Sequence, residues 1–163
     1  MSMRKNETKL FFEQGVFIRN FNENDTSSVV AIHNLCKGKF EFEKITPDFI
    51  FEILQKPGFE FAVAVVDDKV AGFAGALFDE QMHLSELGPI AVHPEYRNRG
   101  IGTEFIVYLF KFLKSKKIRI VNARVKSDNK EAVKFLEKFG FEVVLESEDY
   151  KGKPGITMLL KVL

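Results

Sequence analysis

Residues 84–117 constrain the fold more than any other stretch of the chain. A strand-like apolar run is broken by Gly88-Pro89, resumes at Ile90, Ala91 and Val92, and leads to a turn from Arg97 to Gly102. That turn opens a long segment with apolar residues at Ile101, Phe105, Ile106, Leu109, Phe112 and Leu113, the spacing of a buried helix face. Proline cannot donate a ladder hydrogen bond, so Pro89 within a central strand marks a bulge or the point where pairing stops. The main-chain groups beyond it are left for another partner, and a ligand carrying amides would suit them. Gly100 and Gly102 permit close backbone approach, and the first N–H groups of a helix have no internal acceptors. With the helix dipole, Arg97 and Arg99, this makes an anion site suited to a pyrophosphate. A flexible turn with solvated arginines reads the same bare pattern equally well.

The rest of the chain supplies the sheet around this segment. Residues 15–21 alternate as a first strand, after residues 1–14, which read as an N-terminal extension. Asp25 to Ser28 offer helix caps ahead of an amphipathic stretch holding Val29, Ile32, His33 and Cys36. Pro47 suits the first turn of a second helix, which Pro57-Gly58 stops. Residues 59–66 and 70–78 flank Asp67-Asp68-Lys69 as a hairpin, and a third strand spans about 83–92. A strand at 118–125, a helix at 129–139 ended by Gly140, and closing strands at 141–145 and 156–162 complete the order. The expectation is one α/β (α+β) domain over 1–163. Its mixed, mostly antiparallel sheet has about seven strands and four flanking helices, in the order β-α-α-β-β-β-α-β-α-β-β, unlike a doubly wound nucleotide fold.

Composition excludes several function classes. Lys plus Arg 24 against Asp plus Glu 23 gives a net charge of +1, which removes the usual electrostatic case for nucleic acid or an anionic membrane as partner. The single cysteine, Cys36, excludes an internal disulfide and a cysteine-paired zinc site, and it reads as a small buried hydrophobe. His83 and His93 lack metal-ligand spacing, so no metal is expected, and His33 reads as a packed structural histidine. No run of 18 apolar residues is present and the start is polar, so a cytoplasmic location is expected. Phe105 stands where a dinucleotide fingerprint needs a third glycine, and no Gly-x-x-x-x-Gly-Lys loop occurs. The 18 phenylalanines read as core filler.

The segment from Leu87 to Gly102 resembles motif A of the GNAT (general N-acetyltransferase) superfamily, whose signature is Arg/Gln-x-x-Gly-x-Gly/Ala. Residues 129–141, with Asn129, Ala132, Phe135, Gly140 and Phe141, resemble its second motif. The resemblance implies an acetyl-CoA-dependent N-acetyltransferase that moves acetyl directly onto a primary amine, with no metal. By the same resemblance, Ile90, Ala91 and Val92 would hold the pantetheine arm. Arg97, Asn98, Arg99, Gly100, Ile101, Gly102 and Thr103 would hold the pyrophosphate, and Asn129, Ala132 and Phe135 would flank the cofactor. It allows a homodimer, although no stretch of the sequence specifies an interface.

Acetylation needs a neutral amine, and a lysine-like amine is neutral in only about one part in 2,500 at pH 7. A base is therefore useful. Glu86, just before the expected bulge, stands where many family members carry a glutamate base; a solvated strand glutamate is the bland alternative. The tyrosine that usually follows the Phe135 position, and would protonate the departing thiolate, is replaced by Leu136. A thiol of pKa about 8.5 leaves tolerably as an anion, so this loss need not abolish transfer. Tyr150 is the substitute candidate, or else a turn tyrosine that shapes the acceptor entrance. Leu136 also keeps open a non-catalytic acyl-CoA-binding module of the same fold. The cluster Lys111, Lys114, Lys116, Lys117 and Arg119 reads as a solvated helix end that could draw in the nucleotide's 3′-phosphate. By the fold, residues 37–45 and 146–155 border the acceptor cleft. Glu41, Glu43, Glu146, Glu148 and Asp149 would make its rim acidic, with Phe40 and Phe42 as walls. That rim would favour a cationic amine, whether a small amine or polyamine or a protein or peptide amine; ordinary loop charges and core phenylalanines are the bland alternative.

Overall fold

The computed structural model describes residues 10–12, 15–36, 38–39 and 45–163. Lys37, Phe40, Glu41, Phe42 and Glu43 lie outside the described residues. The strands are β1 (Leu10–Phe12), β2 (Val16–Asn20), β3 (Phe59–Val66), β4 (Lys69–Asp79), β5 (Leu84–Val92), β6 (Ile120–Lys126), β7 (Glu142–Glu146) and β8 (Ile156–Val162). The helices are α1 (Thr26–Leu35), α2 (Pro47–Leu54), α3 (Ile101–Ser115) and α4 (Lys130–Glu137). They form one mixed sheet in the order β1-β2-β3-β4-β5-β6-β8-β7. Among the described strands only β5 and β6 run parallel, because α3 carries the chain between them.

The expected element order recurs, with one correction at the N-terminus. Leu10–Phe12, assigned by sequence to the extension, is an edge strand that pairs antiparallel with β2, Leu10 opposite Ile18 and Phe12 opposite Val16. A three-residue strand carries too little periodicity to read; pairing with β2 defines it. The α1 cap also differs from expectation. Asn22 and Asp25 form a capping box around a short 3-10 turn, and the Asp25 carboxylate accepts two bonds from Arg19, at 2.7 and 2.8 Å.

Alternation along the strands sorts side chains between two cores, one on each face of the sheet. Helices α3 and α4 cover one face, where Phe105, Ile106, Leu109 and Leu136 meet Ala62, Ala74, Leu87, Val121 and Leu159. Helices α1 and α2 cover the other, where Val29, Ile32 and Ile50 meet Phe61, Val63 and Phe73. Phenylalanine fills both layers, as its abundance suggests.

Candidate functional site

The strand break at Gly88-Pro89 organises the site. Ala74 opposes Ile90 and Ala76 opposes Leu87, so Gly75 of β4 faces two residues of β5, Gly88 and Pro89. This is the expected bulge, and its peptide bond is cis. The extra residue resets the alternation: Leu87 and Ile90 both face the α3 core, while Ala91 faces the α1 core. Pairing of β5 with β6 runs from Leu84–Ile120 to Leu87–Ala123 and stops there, whereas β6 stays paired with β8 through Lys126. The two parallel strands therefore part at the bulge. The edge of Ile90–Val92 that would have faced β6 is left to a cleft.

That cleft continues into the turn before α3. Asn98 and Gly100 adopt left-handed φ of 61° and 76°, which costs Gly100 nothing because it lacks Cβ. The first intrahelical bond runs from Glu104 N to Gly100 O at 3.0 Å, so the N–H groups of Ile101, Gly102 and Thr103 precede the helix's own bonding. Opposite them, Asn129 caps α4 by accepting from Ala132 N at 3.3 Å, the physical basis of the Asn-x-x-Ala spacing. Gly102 is needed for closeness rather than for φ, since a Cβ there would meet Phe135 Cζ at 3.2 Å.

Of the thirteen residues assigned to the cofactor by resemblance, twelve line this one cleft of about 780 Å³. Arg99 is the correction. It does not line the cleft, and its guanidinium stands 5.2 Å from the Tyr96 ring centroid, where stacking holds it. Arg97 points inward, with Nη2 3.4 Å from the buried Cys36 Sγ and Nε 3.4 Å from Val92 O. Sequence reading missed Lys39, Lys134 and Lys138, which also line the cleft. Lys134 and Lys138 are four apart on or just after α4, next to Phe135, and helical spacing could have exposed them. Of the basic cluster at 111–119, none lines it; Lys116 pairs with Glu80 at 3.2 Å.

A second cavity, of about 200 Å³, opens on the other side of the bulge. Glu86, Leu87, Gly88 and Pro89 form one wall, with Phe49, Phe59, Phe61 and Phe73 around an apolar floor. Lys39 borders both cavities, so they adjoin. Glu86 lines this cavity, and it is paired with Arg124, which sequence reading missed. Asn122, Arg124 and Lys126 alternate with the inward-facing Val121, Ala123 and Val125; polar residues at every second position of an inner strand are the signal that a cleft lies on that face.

Tyr150 is not brought into either cavity. It is 70% exposed in the β7–β8 turn, with Lys151 Nζ 5.2 Å from its ring. Leu136 is buried in the α4 core. The expected acidic rim is also corrected among the described residues. Glu146, Glu148 and Asp149 do not line the second cavity; Asp149 instead accepts from Gly155 N at 2.9 Å within its own turn. The described charged lining is one carboxylate, Glu86, and three cations, Lys39, Arg124 and Lys126. His33 lines the same cavity, and burial pushes its imidazole below the usual 6.5, with a hydrogen bond to Asn34 opposing the shift. Among the described residues no three His, Cys, Asp or Glu side chains gather as a metal site.

The model of the acetyltransferase (GNAT) family matches residues 26–141. The chain belongs to that family. The match takes in both glycine-turn and α4 motifs and the strands that hold them. An uncharacterized N-acetyltransferase of Methanocaldococcus jannaschii is 35% identical to this GNAT chain over 97 residues, 56% of the chain. The chain covers 42% of that relative's length. Ard1 from Thermoplasma volcanium superposes with a TM-score of 0.80 at 21% identity, over 91% of this chain and 98% of that one. The ribosomal-protein-S18-alanine N-acetyltransferase from Escherichia coli gives 0.76 at 18% identity, over 90% and 93%. A Salmonella typhimurium protein, yncA, solved with its cofactor acetyl-CoA, gives 0.75 at 18%, over 90% and 93%. These likenesses establish the GNAT fold.

Proposed function

We propose that this chain is an acetyl-CoA-dependent N-acetyltransferase that acetylates a primary amine. The observation that carries the reading is the parting of β5 from β6 at Leu87, which opens an amide-bearing strand edge directly onto the N-terminus of α3. A long ligand with amides at one end and a pyrophosphate at the other fits both parts. Main-chain groups of Ile90 and Val92 would bind the pantetheine amides. The amides of Ile101, Gly102 and Thr103, with Arg97, would bind the pyrophosphate. Lys134 and Lys138 add positive charge along the cleft.

Bound acetyl-CoA would supply the acetyl group as a thioester. Glu86 then lies on the acceptor side of the bulge, where it takes a proton from the amine directly or through one water. Neither position considered for the acid protonates the departing thiolate there, since Leu136 is buried and Tyr150 lies outside both cavities. No helix among the described residues is long and apolar enough to cross a membrane. The reading takes a small-molecule or peptide amine as the partner.

The experiment is calorimetry with acetyl-CoA followed by thiol release over an amine panel. Heat with saturable binding, and amine-dependent release of CoA, are expected. Absence of any heat at saturating acetyl-CoA would end the reading. Binding without transfer to any amine would favour the second reading, a non-catalytic acyl-CoA-binding module, for which the buried Leu136 is the supporting observation.

A further inference from the structure

Resting on that reading, we propose that the acceptor is a free α-amino acid with a large apolar side chain, bound by its carboxylate, rather than a polyamine. The cavity beside Glu86 is lined by both apolar and cationic side chains. Phe49, Phe59, Phe61 and Phe73 line it together with Ile50 and Ile53, and its volume is about 200 Å³. A dry apolar cavity of about 150 Å³ already holds a benzene ring, so an isobutyl or benzyl group fits. The second ammonium of a polyamine would be desolvated in this cavity, among rings and aliphatic side chains, with Glu86 as the only carboxylate lining it among the described residues.

The charged lining selects against cations a second way. Glu86 is engaged by Arg124 at 2.8 Å, which leaves Lys39 and Lys126 as the remaining described charges around it. Lys126 shares a face of β6 with Arg124, about 7 Å further along the strand, and its Nζ donates to Gly38 O at 3.3 Å. Lys39 meets Glu131 only at 3.8 Å, half-exposed. An anionic group beside the reacting amine would answer this charge. An α-amino acid puts amine, carboxylate and side chain on one carbon, matching Glu86, the two lysines and the phenylalanines, which line one cavity.

The chemistry balances without a further reactant. The amino nitrogen bonds to the acetyl carbon and the C–S bond breaks. Of the two protons an ammonium must lose, one ends on the CoA sulfur and the other reaches solvent, with Glu86 as the relay.

The test compares L-leucine, L-phenylalanine, leucinamide, spermidine and a leucine-initiated peptide as acceptors with acetyl-CoA. Leucine or phenylalanine should exceed leucinamide in kcat/KM by about tenfold or more, the scale of a hydrogen bond to a charged group. The double variant K39M/K126M should shrink that preference to under about threefold by raising KM. N-acetyl-L-leucine should also bind the CoA complex, as a readout independent of turnover. Spermidine, leucinamide or the peptide turning over as well as leucine would overturn the proposal while leaving acetyl transfer intact. Failure of N-acetyl-L-leucine to bind the CoA complex would also overturn it. Failure of CoA itself to bind would remove the acetyl-transfer reading and this proposal with it.

Discussion

The Arg124 guanidinium donates twice to a single oxygen of Glu86, from Nη2 at 2.8 Å and from Nε at 3.3 Å, both to Oε1. The pair is about two-fifths exposed on each side, so its contribution to stability is small. Its effect is positional. Oε1 is held against β6, and Oε2 is outside the pair, on a carboxylate that lines the acceptor cavity. Glu86→Gln keeps an oxygen for Arg124 and removes the base. Acetyl-CoA affinity should stay within about twofold while amine-dependent CoA release falls by at least about tenfold, at the low end of what a general base contributes. Unchanged turnover would take Glu86 out of the mechanism.

Gly102 tests the cleft from its other end. A valine there would drive its side chain into the Phe135 ring, which a bare Cβ already meets at 3.2 Å, and would crowd the amides at the start of α3. Gly102→Val should weaken acetyl-CoA binding by about tenfold or more, measured by calorimetry. The contrasting variant is Gly100→Ala. No atom lies within 4 Å of a Cβ there, so its cost is the left-handed φ of 76°, about 1 kcal/mol of stability. Equal acetyl-CoA affinity in Gly102→Val and wild type would contradict the assigned role of the turn.

Tyr108 should matter to stability rather than to catalysis. Its hydroxyl donates to the buried Glu60 Oε1 at 2.7 Å and lies 3.2 Å from Asn20 Oδ1, tying α3 to β2 and β3. Tyr108→Phe deprives a buried carboxylate of a donor and should cost about 1–3 kcal/mol in urea denaturation. Burial and the Glu60 charge push the phenol well above its usual 10. Above pH 10 the unfolded chain loses this proton while the folded chain keeps it, so stability falls as pH rises there. The variant should lack that part of the alkaline slope.

His33 gives the opposite sign at acid pH. Burial holds its folded-state pKa below 6.5, so its contribution is present above pH 6.5, where both states are neutral. As pH falls below that value the unfolded chain binds the proton first, and stability declines until the folded pKa is passed. His33→Gln should flatten this portion of the stability–pH curve. A histidine NMR titration in the folded protein should find one imidazole with a midpoint below 6.5 that is absent from the variant.

Much of the cleft at the start of α3 was legible because its requirements are local. Pro89 cannot pair, Gly100 must take a left-handed φ, and Asn129 must reach the amide three residues on; each leaves its mark within a few neighbouring positions. The apolar face of α3 is legible for the same reason, since 3.6-residue periodicity is written along one segment. Arg99 shows where local reading stops. Nothing in the turn itself says that one arginine faces the cleft while the other stacks on Tyr96.

The acceptor side was legible only in Glu86. Its partner Arg124 lies 38 residues away and reaches it because Glu86 pairs in register with Asn122, two positions before Arg124 on the parallel strand. A shift of that register by one residue would turn Arg124 to the opposite face. The sequence by itself therefore determined the glycine turn, the strand break and the helices that carry them, since backbone conformation and hydrophobic period act over a few residues. Tertiary structure alone decided which charges surround the cavity beside Glu86, because that follows from how strands distant in the chain are aligned across the sheet.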